Sequence, residues 1–201
     1  MTTKIQLSPA EMQLMCNADV ILTKNAVMQK TKALLEVVQQ QQMVAQKEWE
    51  TFLPAEVFRT PPKIARGENY EGLPWLMLDY PRLFTPTSTF AIRTFFWWGR
   101  FFSCTLQLSG LYKQQYQKKL QTAFNQLAPQ HFIGSSTDAW QHHFRPDNYQ
   151  PIGEIGQKEW ETFLRNGPHV KIATQIELTR WPHAADLLFA HWQQYLSLLH
   201  T

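Results

Sequence analysis

Cysteine is scarce in this chain, which has two among its 201 residues. Cys16 and Cys104 are too few for a disulfide framework and lack the paired spacing of a zinc site, so we expect no metal site. The start MTTKIQLSPAEMQL lacks the basic and apolar regions of a signal peptide. Together these absences predict a cytoplasmic protein.

Long apolar runs and basic stripes are also missing. Arg93, Gly99 and Arg100 interrupt the most apolar stretch, FAIRTFFWWGRFF, so it stays shorter than the roughly 18 residues of a membrane helix. The net charge is only +3, and the densest basic group is the short cluster Lys113, Lys118 and Lys119. Neither a membrane nor a nucleic acid is therefore expected as a partner.

The common catalytic signatures do not occur in the sequence. It contains no GxSxG elbow, P-loop, GxGxxG turn or HExxH helix. No cofactor is indicated by any motif, so function must be argued from individual side chains.

Aromatic residues are abundant, with 13 Phe, 8 Trp and 6 Tyr, and 44% of the chain is hydrophobic. This composition predicts one α+β domain over residues 1–201 with an aromatic-rich core. Residues 1–53 form its helical N-terminal part: one helix starts at the Ser8-Pro9 cap and runs to about Leu22, and a longer one ends before Pro54. These helices could join copies of the chain into a homo-oligomer.

Residues 73–201 are expected to form the sheet and its covering helices, after an irregular, Pro- and Gly-rich connection at 60–72. Runs such as LPWLMLDY, TFAIRTFFWW and FFSCTLQLS have the aromatic and aliphatic content of strands. They predict an antiparallel sheet of four to five strands, at 73–80, 89–98, 101–109, 131–136 and 169–178.

The octapeptide QKEWETFL occurs twice, at Gln46–Leu53 and Gln157–Leu164. In both copies Trp, Phe and Leu fall on one helix face, and a Pro or Gly-Pro stop follows. The flanking residues differ, so we interpret the repeat as the same helix-packing solution used twice, without domain duplication.

Arg93 is the most informative residue of the predicted hairpin. If Gly99 and Arg100 form a two-residue turn, Arg93 lies opposite Leu106 on a face shared with Phe95, Trp97 and Cys104. A guanidinium on an apolar face needs a partner, because an unpaired buried charge costs several kcal/mol. Asp79 is the first candidate in sequence and Glu68 the second.

Two readings of Arg93 remain open. The pair with Asp79 could serve only to fix the strand register. Alternatively, Arg93 and Arg82 could offer planar forks to a carboxylate or phosphate, with Phe95, Trp97 and Trp75 as apolar walls. The second reading predicts a binding or sensing protein for an anionic, partly apolar small molecule.

His142 and His143 provide the alternative prediction, a hydrolase-like or transferase-like enzyme. One of the two imidazoles could act as a general base if it reached the Arg93 face, with Cys104 as a conceivable nucleophile. A structural or partner-binding protein, docked through its long N-terminal helix, is the third possibility.

Three blocks carry a resemblance to known proteins: KIARGENYEGLPWLMLDYPR (63–82), FAIRTFFWWGRFFSCTLQLSG (90–110) and WQHHF (140–144). In them, and over most of its length, the chain resembles a family of uncharacterised bacterial proteins. The resemblance implies a bacterial, cytosolic protein and adds no catalytic residue.

Overall fold

A computed structural model, which describes residues 5–127 and 130–200, confirms the α+β class. Seven strands form one antiparallel sheet: β1 Lys63–Tyr70, β2 Leu73–Phe84, β3 Thr89–Trp97, β4 Phe101–Ser109, β5 Phe132–Gly134, β6 Tyr149–Pro151 and β7 His169–Glu177. The α-helices in this part of the chain are α1 Pro9–Met15, α2 Ala18–Trp49, α3 Gly110–Thr122, α4 Phe124–Leu127, α5 Gln157–Asn166 and α6 Ala184–His200.

The sheet order is β1-β2-β3-β4-β7-β5-β6, so the prediction of four to five strands was too low. The two strands that the sequence did not reveal lie at opposite edges. β1 falls within the supposed irregular connection, and its charged residues are tolerated because an edge strand is only partly covered. β6 has three residues and ends in Pro151, which fits an edge position.

The N-terminal helices break earlier than predicted. Helix α1 stops at Met15, and the Asn17 side chain accepts a hydrogen bond from the Asp19 amide to cap α2. Helix α2 then continues for 32 residues, the long helix expected before Pro54. Among the described residues, no helix is long and apolar enough to cross a membrane.

The sheet has two different faces. We call the first the helical face, because α2, α3, α5 and α6 pack against it. Its side chains belong to the large apolar core, which includes Leu78, Ile92, Phe102, Leu106 and Ile172. The opposite face, which we call the second face, carries a smaller aromatic cluster of Met77, Phe95, Trp97 and Phe101 together with several polar residues.

The predicted register of the β3–β4 hairpin was wrong by one residue. Trp97 pairs with Phe101, and Arg93 pairs with Thr105 rather than Leu106. The turn contains three residues, and within it Gly99 adopts a φ of +66°. Glycine adopts this backbone conformation at little cost. As a result Cys104 lies on the helical face, on the side of the sheet away from Arg93.

Both copies of the octapeptide lie at helices, with different outcomes. The second copy forms most of α5, and Trp160 and Leu164 are fully buried. The first copy leaves the helix after Trp49, so Leu53 is buried while Phe52 is half exposed. The same eight residues are therefore helical throughout in the second copy, whereas in the first copy only the residues up to Trp49 are helical.

Candidate ligand-binding site

The register of β2 and β3 brings Asp79 directly opposite Arg93 on the second face. Arg93 Nε donates to Asp79 Oδ1 at 2.7 Å, and Nη2 lies 3.4 Å from Oδ2. Each side chain is only 11% exposed. The expected ion pair is thus present with the first of the two predicted partners, while the alternative partner, Glu68, pairs with Lys24.

Aromatic rings cover the guanidinium of Arg93 on its outer side. Its Cζ lies 5.6 Å from the Phe84 ring centre and 5.3 Å from that of Trp140, distances typical of cation–π contacts. The remaining nitrogen, Nη1, is buried and has no hydrogen-bond partner among the described residues. Leaving such a donor unsatisfied costs about 1–3 kcal/mol, more when it is charged.

Lys171 on β7 adds a second buried cation to this face. It is 1% exposed, donates to the Gln141 carbonyl at 2.5 Å and lies 4.7 Å from the centre of the Tyr149 ring. Burial, reinforced by the charge of Arg93, lowers the pKa of Lys171 from 10.5 to about 8. At neutral pH Lys171 is still largely protonated, so the two cations of this layer outnumber the one carboxylate, that of Asp79, which is buried among the described residues.

A cavity of about 250 Å³ lies against the ion pair, and we call it the Arg93 pocket. Its lining combines the pair with apolar and aromatic side chains and two further polar residues: Ala65, Asn69, Tyr70, Trp75, Met77, Asp79, Arg93, Phe95, Trp140 and His142.

Gly67 determines where the Trp75 wall of this pocket stands. A Cβ at Gly67 would lie 2.4 Å from Trp75 Nε1, so only glycine lets the indole rest on the β1 backbone. The position of the Trp75 side chain in the pocket wall therefore depends on the absence of a side chain at Gly67 in the edge strand.

Residues 135–148, between β5 and β6, form the cover of the second face. The Tyr70 hydroxyl accepts hydrogen bonds from the backbone amides of His142 and His143, at 2.8 and 3.2 Å. Arg145 makes a two-pronged ion pair with Glu71, at 2.7 and 2.6 Å. These anchors hold the middle and the end of the segment, whereas Trp140 remains 55% exposed.

The two adjacent histidines lie in different surroundings. His142 lines the Arg93 pocket, with its ring centre 4.9 Å from that of Phe95. Burial, with the nearby positive charge of Arg93, lowers its pKa well below 6.5, so the imidazole is neutral at pH 7. His143 instead lines a separate open depression beside Arg100 and Arg145, and burial also lowers its pKa.

The geometry gives little support to covalent catalysis. Cys104 lies on the other face of the sheet, and burial raises its pKa to about 12, which leaves the thiol protonated. Among the described residues, the lining of the pocket around His142 includes no Ser, Thr or Cys, and its one carboxylate, Asp79, is paired with Arg93. A low pKa also makes the His142 ring a weak base.

The structure brings together most of the side chains proposed from sequence, with three exceptions: Arg82, Trp97 and His143, of which His143 lies in the separate depression described above. Asp79, Arg93, Phe95 and His142 line the pocket together with the wall residue Trp75. Arg82 does not: its Nε donates to the Pro61 carbonyl at 2.8 Å. Trp97 lies in the neighbouring aromatic cluster, where its Nε1 donates to the Tyr70 carbonyl.

Sequence reasoning missed Tyr70, Trp140 and Lys171. Tyr70 lies in the connection at 60–72 that was read as irregular, and Trp140 lies outside the predicted strands, so no face could be assigned to either. Lys171 could have been found, because the alternation of VKIATQIEL places it on the opposite side from Val170 and Ile172, the apolar positions.

A larger cleft of about 570 Å³ lacks this combination, and it is lined by residues including Gln175, Glu177, Arg180 and His191. It has no buried charged side chain on its walls. We therefore place the candidate site at the smaller Arg93 pocket, where buried charge and aromatic surface coincide.

No group of three or more metal-ligating side chains comes together within residues 5–127 and 130–200. Comparison of the chain with family models, with curated proteins and with solved structures finds no match in any of the three.

Proposed function

We propose that this protein binds a small anionic molecule with an apolar body in the Arg93 pocket. The observation that carries the proposal is Arg93 itself, a buried guanidinium that keeps one unpartnered nitrogen after pairing with Asp79. A carboxylate or phosphate oxygen would satisfy that donor, and Lys171 nearby contributes further positive charge.

The dimensions of the pocket limit the ligand to a small one. Its volume of about 250 Å³ falls below the roughly 300–1,000 Å³ of sites for drug-sized molecules. Trp75, Phe95 and Tyr70 present ring surfaces, so a single aromatic ring with a short acidic substituent is the best match.

Entry of the anionic group requires Trp140 to move. Nη1 of Arg93 is shielded from solvent, and Trp140 stacks over the guanidinium. Because Trp140 is more than half exposed, its displacement costs little apolar burial. A ligand head group would thus replace a cation–π contact by a charge-assisted hydrogen bond.

The test uses three ligands with one ring and different head groups: phenylacetate, phenylacetamide and phenethylamine. We expect calorimetry to detect binding of phenylacetate, weaker binding of the amide and none of the amine. A ligand at a hundred times its dissociation constant should stabilise the fold by about 2.7 kcal/mol, which a thermal-shift assay also detects.

Two variants and a matched control separate the pocket from general electrostatics. Arg93→Gln should abolish the preference for the anion, and Trp75→Leu should weaken all ring-containing ligands. Arg100→Gln removes an exposed arginine at the hairpin turn and should change neither. Equal binding of the three ligands, or anion binding that survives in Arg93→Gln, would contradict the proposal.

A further inference from the structure

The outward side of α2 carries an uncharged stripe, flanked by Lys30 and Glu36, which is unusual for a surface helix. Its inward face packs on the domain through Thr31, Leu35, Val38 and Gln42. A stripe on the opposite side is exposed and consists of apolar and amide side chains, at Leu22, Ala26, Gln29, Ala33, Val37, Gln40 and Val44. The solvent side of such a helix is normally rich in charged residues.

We call these seven residues the α2 stripe, and their spacing is symmetric. Successive members are separated by four, three, four, four, three and four residues, which reads the same in both directions from Ala33. Two copies of α2 packed antiparallel about Ala33 would therefore place Leu22 against Val44. The same arrangement places Ala26 against Gln40 and Gln29 against Val37.

The area of the stripe suits a stable dimer. From residue 22 to residue 44 the helix rises about 33 Å, and half the circumference of a helix of this length, which covers the stripe and its flanks, presents about 570 Å². A standard interface buries about 800 Å² per partner. Exposed apolar side chains of α1, including Leu14 at 59% and Met15 at 65%, could supply the remainder.

We infer that the α2 stripe binds the α2 stripe of a second copy of this chain, in antiparallel orientation about a two-fold axis at Ala33. The small alanines at the centre allow close helix approach, and the amides of Gln29 and Gln40 can form hydrogen bonds across the interface. A self-complementary patch of this kind is what a two-fold interface requires. The inference is independent of the ligand proposed for the Arg93 pocket.

Oligomeric state is the first test. Light scattering and sedimentation of the full chain should give twice the 23.6 kDa of one copy at micromolar concentrations. The double variant Val37→Glu/Val44→Glu should dissociate into monomers with its circular dichroism unchanged, because both side chains are exposed. The control is Leu111→Glu, an equally exposed apolar site on α3, which should remain dimeric. A monomeric parent protein, or a glutamate variant that stays dimeric, would overturn the inference.

Disulfide trapping tests the register. In a Cys16→Ser background, which leaves only the buried Cys104, Ala33→Cys should form an intersubunit disulfide at least tenfold faster than Leu111→Cys. Ala26→Cys and Gln40→Cys should cross-link when the two variants are mixed and far more slowly when each is alone. Rapid cross-linking of each variant with itself would instead show parallel helices and refute the antiparallel arrangement.

Discussion

Separating Arg93 from Asp79 should destabilise the fold far more than removing an exposed arginine. The pair is bonded at 2.7 Å and each side chain is 11% exposed, so little solvent screens it. Breaking a buried pair by deleting one partner typically costs about 3–5 kcal/mol, because the other charge stays buried. We expect this loss for Arg93→Met and a similar one for Asp79→Asn.

The double variant Arg93→Met/Asp79→Asn distinguishes pairing from simple loss of packing. With no buried charge left over, its cost should fall short of the sum of the single variants by about 2–3 kcal/mol. Arg100→Met is the control: that guanidinium lies 5.5 Å from the Trp97 ring centre at an exposed turn, and such contacts contribute about 0.5–1 kcal/mol.

Urea unfolding at pH 7, followed by circular dichroism, measures all four variants on one scale. The slope of the free energy against urea should stay constant, so that midpoint shifts report stability alone. Additive single effects, or an Arg93→Met loss no larger than that of Arg100→Met, would refute the view that Arg93 and Asp79 act as a buried pair.

Three further predictions concern the buried histidines, Lys171 and Gly67. Burial lowers the pKa of His169 from 6.5 to about 4, and burial also lowers the pKa of His131, His142, His143 and His191. Between these pH values the unfolded chain therefore binds more protons than the folded protein. The free energy of unfolding should drop as pH falls from 6.5 towards 4. His169→Gln should reduce that slope by up to about 1.4 kcal/mol per pH unit in urea titrations, and an unchanged slope would contradict the assignment. The lowered pKa of Lys171, about 8, should raise the free energy of unfolding by about 3 kcal/mol between pH 8 and 10.5. Buried tyrosines oppose this rise at the upper end of the range, because they resist ionisation. Lys171→Met should therefore flatten the slope of stability against pH that is measured between pH 8 and 9.5. In Gly67→Ala the new Cβ displaces the Trp75 indole from the β1 backbone, so tryptophan fluorescence and phenylacetate affinity should both change. Gly156→Ala is the control: its Cβ would have open space around it, and the variant should alter neither property.

The sequence predicted those parts of the fold in which local pattern and burial agree. Strands β2, β3, β4 and β7 have the aromatic and β-branched content of covered strands, and all four appear near their predicted bounds. Strand β1 could not be predicted because its residues have no clear local preference for a strand. It becomes a strand by pairing with β2. The same limit applies to β6, which exists through its pairing with β5.

The candidate site was only partly predictable for a related reason. Arg93 and Asp79 could be paired from strand alternation alone, since both lie on strands with clear patterns. The hairpin register depended on one extra turn residue, and that difference moved Cys104 to the other face. Trp140 and Tyr70 reach the pocket from segments without periodicity, so their positions emerge only from the tertiary structure.

The contrast between the two faces of the sheet is the strongest reason to place function on the second one. On the helical face, neighbouring strands bury almost uninterrupted apolar rows. On the second face, the row through Asp79, Arg93 and Thr105 is polar, and Lys171 lies close by, although the side chains of this row are also largely covered. Apolar residues of similar volume would often stabilise such a position as well or better. Stability alone therefore does not account for the buried cations, whereas the anion binding that we propose would give them a role.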